Sequence, residues 1–118
     1  MEGGKKIESL SELFGEFPEV IIEAEGTSKY VLISLSTKDK KDCVYLLRGY
    51  NTKYSFHAEI FENFQIQVRD SKLLDNLIYQ STDSQDGHKI RDILKVECVG
   101  GGRIDHDRNI STKILVFL

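Results

Sequence analysis

Residues 43–68, CVYLLRGYNTKYSFHAEIFENFQIQV, change period halfway along. CVYLLRGY at 43–50 is apolar on both faces until Arg48, the pattern of a strand covered on both sides in the middle of a sheet. Asn51–Tyr54 breaks that run. Phe56, Ile60, Phe61, Phe64 and Val68 then recur at helical spacing, which predicts an amphipathic helix. Ser55 stands where a hydroxyl can cap the first turn by accepting from a free amide. A strand followed at once by an amphipathic helix needs a sheet for the helix to lie on, so the stretch predicts an α/β domain.

Outward from it, KYVLISLS at 29–36 reads as a strand rich in β-branched and aromatic residues, joined to the first by a charged turn over Lys38–Asp42. SKLLDNLIYQ at 71–80 predicts a second short amphipathic helix, and STDSQDG a polar break. HKIRDILKVECV returns to order and ends as a strand. GGG at 100–102 predicts a turn. RIDHDRNIS reads as a strand end and a loop, and KILVFL as a closing apolar strand. The order is β-β-α-(α)-β-β, with at least one helix against a sheet, a pattern that favours a small α/β or α+β domain. Residues 1–26 are expected to be a flexible segment with small apolar clusters at Leu10, Leu13, Phe14, Phe17 and Val20–Ile22. Residues 27–118 are expected to form one domain. Ending on the most apolar run predicts exposed apolar surface and self-association.

The whole chain sets wider bounds. Its 118 residues, 40 % apolar, suffice for one hydrophobic core. A net charge of −3 and a pI near 5.6 argue against a general nucleic-acid binder. No run approaches the roughly 18 apolar residues of a membrane span, and the start has no signal-peptide run. Cys43 and Cys98 lie far apart without metal spacing, as expected of reduced, partly buried thiols in a cytosolic protein.

Several residues carry possible chemistry. The glycine run is either a plain turn or a turn beside a site, since glycines let backbone amides approach an anion. Neither GxGxxG nor the P-loop pattern is present. Cys98 and Arg103 are one residue too close for a cysteine-phosphatase loop. Asp105, His106 and Asp107 offer only two carboxylates on one strand face, so a solvated loop is the expectation and no metal is called for. His57 is the stronger candidate. In the first helical turn its ring lies beside free amides and the positive end of the dipole, which favours a neutral ring and can receive phosphate oxygens. A neutral imidazole there is a sound base or nucleophile for phosphoryl chemistry. The alternative is that His57, on one helix side with Phe61 and Phe64, only borders the core. Lys29 and Arg48 are cations at strand edges, ordinarily surface charges, of the kind phosphoryl transfer needs.

KYVLI at 29–33, RGY at 48–50, FHAEIF at 56–61 and ECVGGGRI at 97–104 together resemble the janus/ocnus family, whose enzymatic branch is the phosphohistidine phosphatases. The likeness covers 29–61 and 93–118, about half the chain. It implies a phosphohistidine-phosphatase-like mixed sheet between two helices, and metal-independent, cofactor-free hydrolysis of phosphohistidine in protein substrates. It places His57 on the catalytic histidine, which either activates water or carries the phosphoryl group. Lys29 falls on a substrate-phosphate lysine, Arg48 and Arg103 on arginines that hold the pocket, and the amides of His57 and Ala58 on the phosphate cradle. Family members are monomers, and a link to sexual differentiation is implied. The sequence departs from the pattern in three places. The family's phosphate-binding loop, second helix and last strand after the KILVFL-like run are not seen here, so the resemblance implies a C-terminally incomplete domain. The segment after FHAEIF is longer, and the step from RGY to the histidine is one residue longer. The alternative to a phosphatase is therefore a weak or inactive regulatory protein that keeps the fold, and a further one is an unstable fragment.

Overall fold

The computed structural model describes residues 4–23, 27–83 and 85–105. Its main sheet has four strands: β2 (Val20–Ile22), β3 (Thr27–Thr37), β4 (Cys43–Tyr50) and β7 (Leu94–Asp105). They lie in the order β2-β4-β3-β7, with β2 parallel to β4 and the other pairs antiparallel. The chain is a mixed α/β fold with sheets packed against helices. β4, predicted to be central, lies between β2 and β3, and Leu46, Leu47 and Arg48 are all buried. The turn between β3 and β4 uses Lys40 at φ 61°. Thr37 and Asp39 brace it, with the Thr37 hydroxyl donating to Asp39 and the Lys41 amide to the same carboxylate oxygen.

The predicted helix is α1 (His57–Asp70). It lays Ile60 and Phe64, each 1 % exposed, on Val31, Ile33, Leu35 and Leu46. Burial of each such side chain contributes roughly 1.5–3 kcal/mol. The far end of α1 is closed by Arg91, whose guanidinium donates to the carbonyls of Val68 and Ser71 and to Asp75. The Val68 carbonyl also accepts from the Ser71 amide, so Arg91 adds a second donor at a helix end where carbonyls lack full intrahelical pairing.

Four expectations are corrected. Residues 4–23 are not a loose segment. They form β1 (Lys5–Ile7), a 3-10 turn over Leu10–Gly15 and β2, and they bury Ile7, Leu10, Leu13 and Phe17. The predicted helix at 71–80 is a 3-10 turn, Leu74–Asn76, followed by β5 (Leu77–Tyr79). β5 pairs with β1 and with β6 (His88–Lys89) in a second, three-stranded sheet, and one helical turn, α2 (Ile90–Ile93), leads into β7. The glycine run is not a turn: β7 continues through it in register with β3. Cys43 and Cys98 are exposed rather than partly buried. The side chains of the DHD stretch and the closing KILVFL run lie outside the described residues.

Of the two helices expected around the sheet, the described residues provide one long one. No helix among them is long and apolar enough to cross a membrane.

Candidate functional site

The reason for glycine at 101 and 102 lies in what touches the strand. Successive residues of a strand point to opposite faces. On the α1 face, a Cβ at Gly101 would stand 3.5 Å from Cδ2 of His57 and 3.2 Å from the Tyr30 carbonyl oxygen. On the other face, a Cβ at Gly102 would stand 3.0 Å from Cε1 of Tyr30. Two rings lie against a strand stripped of side chains, one from each side. A β-bulge just before the run, between Leu32 and Ile33 of β3, leaves Val99 without a partner and half exposed.

His57 is the first residue of α1 and is partly exposed. Its Nε2 lies 2.9 Å from the carbonyl oxygen of Gly102. A carbonyl only accepts, so Nε2 carries the hydrogen. In the neutral ring, Nδ1 then holds the free lone pair. The ring borders the core, as one of the two expectations had it, and keeps one edge open to solvent.

The helix start differs from the expected Ser55 cap. Phe56 is the N-cap residue, with no acceptor atom, and its ring is 69 % exposed. Glu59 reaches back instead, accepting from the amides of Ser55 and Phe56 at 3.1 and 3.0 Å. With no hydroxyl capping the helix, the amides of His57 and of exposed Ala58 have no acceptor among the described residues. Two unpaired amides at the positive end of a 14-residue helix form an anion-binding geometry.

Lys29 and Arg103 are direct cross-strand partners on β3 and β7, one pleat along from the Val31–Gly101 pair that touches the His57 ring. Lys29 is partly exposed and Arg103 exposed. Like charges directly opposite one another destabilise a sheet, and an anion between them relieves this. On its other side Lys29 pairs with Tyr50 of β4.

Arg48 corrects the expectation of a surface cation. It is 3 % exposed, donates to the Leu47 carbonyl at 2.9 Å and stacks 5.4 Å from the Phe64 ring centroid. Burial pushes its pKa below the usual guanidinium range, an effect partly offset by Tyr50. It is a buried charge packed on α1, not a group open to a ligand.

The structure thus brings His57, Ala58, Lys29 and Arg103 to one end of the sheet, while Arg48 is buried against Phe64, two turns along α1 from His57. The sequence reading missed Glu59, Gly102 and the Tyr50–Tyr54 pair. A Glu three residues into a predicted helix is a readable capping signal. The Gly102 contact has no local signal at all, because its partner is 45 residues away.

The best-formed concavity is elsewhere. A cleft of about 300 Å³ opens between the β3–β4 turn and the second sheet, lined by Lys38, Lys41, Tyr79, Asp86 and His88 among others. From Val31 to Thr37 the strand rises about 20 Å, so this cleft lies at the opposite end from His57. Its imidazole, His88, stands before a single helical turn rather than at the start of a long helix as His57 does. Among the described residues no group of three His, Cys, Asp or Glu is placed to hold a metal ion.

A sequence profile of the Janus/Ocnus family matches residues 14–117. The chain is also similar to the sex-regulated protein janus-A of Drosophila pseudoobscura pseudoobscura, 29 % identical over 96 residues. That match covers 78 % of this chain and 50 % of the fly protein, so the chain spans about half the length of this curated relative.

Proposed function

The chain belongs to the Janus/Ocnus family, and from that premise we propose that it hydrolyses phosphohistidine in proteins, with His57 as the reacting imidazole. The observation that carries this is the bond from Nε2–H of His57 to Gly102, which leaves Nδ1 as the basic atom of a partly exposed ring. In the proposed reaction Lys29, Arg103 and the amides of His57 and Ala58 hold the phosphoryl oxygens, and Arg48 raises the local positive potential from the core. Nδ1 takes a proton from a water that attacks phosphorus. The P–N bond breaks, its electron pair returns to the substrate imidazole, and that ring takes up the proton, leaving histidine and inorganic phosphate. If Nδ1 instead attacks phosphorus, water cleaves the resulting phosphoenzyme in a second step. Phosphohistidine is a labile phosphoramidate, so cations and one imidazole suffice without a metal. The proposed setting is the cytoplasm, in sexual differentiation, after the fly relative named as sex-regulated.

The test is phosphate release from a phosphohistidine peptide in EDTA. His57→Ala is expected to lose about 10²–10⁴ in kcat, the range for a positioned acid–base group. Unchanged turnover by that variant would refute the proposal. Phosphorus-32 retained on wild-type protein in a rapid quench identifies the covalent route. A second reading, a regulatory protein that keeps the fold with little activity, is favoured by the best-formed cleft lying away from His57. Turnover no faster than that of His57→Ala would select it.

A further inference from the structure

The loop between β4 and α1 carries a lysine that the phosphoryl chemistry does not use. Lys53, four residues before His57, is exposed, and its Nζ lies 5.7 Å from the Tyr50 ring centroid and 5.4 Å from that of Tyr54. The two rings meet edge to face, 5.0 Å apart, and both pack on the core. A cation held over two rings loses less freedom on binding an anion than a free lysine does. Tyr50 is the direct cross-strand partner of Lys29, and Lys29 of Arg103. Arg103, Lys29 and Tyr50 therefore form one row across three strands, spanning about 10 Å, with Lys53 held on the ring at its Tyr50 end. A phosphoryl group between Lys29 and Arg103 is matched by those two charges. Lys53, held on the ring of the residue directly opposite Lys29, is placed to meet a side chain one or two positions along an extended peptide, at about 3.3–3.6 Å per residue.

Building on the proposed phosphatase reading, we propose that Lys53 selects substrates by pairing with an Asp or Glu within two residues of the phosphohistidine. The substrate class is then acidic protein segments. Lys53 acts on the segment beside the reacting group and is not a catalytic residue.

The test uses two peptide series, each with Glu or Gln flanking the target: phosphohistidine peptides for turnover, and phosphoryl-triazolylalanine peptides, which cannot be hydrolysed, for binding. Wild-type protein is expected to favour the Glu peptide about three- to fivefold in KM and in Kd, the scale of an exposed ion pair. The preference should shrink in 1 M salt, where the screening length falls to about 3 Å. Lys53→Ala is expected to abolish the preference without changing kcat or the Gln peptide's KM. Lys53→Arg should keep it, and Lys53→Glu should reverse it. Equal wild-type affinity for the two peptides, or an equal loss for both in Lys53→Ala, overturns the proposal. Turnover without preference leaves the phosphatase reading standing and sinks this one. Preferential binding of the triazole peptide without turnover does the reverse, and no binding to any peptide sinks both.

Discussion

The Nε2–H of His57 donates to the carbonyl oxygen of Gly102 across 2.9 Å, joining the first turn of a helix to a strand 45 residues later. This bond sets the tautomer, and the adjacent Gly101 sets the room for the ring. The two glycines should therefore fail differently when each gains a methyl group. Gly101→Ala sets its methyl 3.2 Å from the Tyr30 carbonyl oxygen, a tight contact with backbone, and 3.5 Å from Cδ2 of His57, an ordinary van der Waals contact. β7 should give by a few tenths of an ångström there, moving the Gly102 carbonyl that holds the ring, and turnover should fall about tenfold or more, since catalysis is sensitive to small misplacements, with only a modest loss of stability. Gly102→Ala drives its methyl into the Tyr30 ring on the other face, at 3.0 Å, and should destabilise the fold by about 1–3 kcal/mol. Thermal melts and phosphohistidine turnover of both variants check the split.

Lys29 and Arg103 face one another in register, so each should make the empty sheet slightly less stable and the anion-bound sheet more so. Lys29→Met and Arg103→Met are expected to melt at or above the wild-type temperature without phosphate. Saturating inorganic phosphate should raise the wild-type midpoint, by as much as about 2.7 kcal/mol of stability at a hundredfold excess over Kd. The variants should gain less. Equal phosphate stabilisation in all three proteins would remove these cations from the site.

What could be read from the sequence follows the range of the contacts involved. β3, β4 and α1 were legible because each satisfies its own pattern: β-branched runs, a charged turn, and a 3.6-residue period through Ile60 and Phe64. The segments at 4–23 and 71–89 were not, because each is incomplete alone. Lys5–Ile7 pairs with Leu77–Tyr79, and three-residue strands leave no periodicity to detect. The glycine run misled because glycine marks both turns and close approach, and only the rings of His57 and Tyr30 tell which applies. At the site, the helix start pointed to His57, and Ala58 came from the family resemblance. Arg48 was misjudged because nothing in the local sequence shows that Phe64 covers it.

Arg48 offers a separation of stability from affinity. It is a buried cation, and replacing such groups by apolar residues of similar length is often neutral or stabilising. Arg48→Met should therefore fold with stability within about 1 kcal/mol of wild type, or above it. Losing the buried charge should weaken phosphate binding several-fold, because electrostatic interactions act over longer range in a low-dielectric interior. Denaturant midpoints and phosphate titrations measured on the same preparation test both halves. Unchanged phosphate affinity would confine Arg48 to packing on Phe64.

At the far end of the sheet, the Tyr79 hydroxyl donates to Asp42 at 3.1 Å, and the Leu10 amide donates to the same carboxylate oxygen at 2.9 Å. Burial first, then the Asp42 charge, pushes the Tyr79 pKa up to about 12. In the unfolded chain tyrosine titrates near 10. Between these values the unfolded chain releases the proton while the folded protein keeps it, so this contribution is intact below pH 10 and is lost as pH rises to about 12. Solvent screening at the partly exposed ring limits the effect to about 1 kcal/mol. Tyr79→Phe removes both the proton and its bond, so its stability should lie below wild type at pH 8 and converge with it toward pH 12. Denaturation at pH 8, 10 and 11 would show that convergence, and a constant gap across the three would assign Tyr79 a packing role alone.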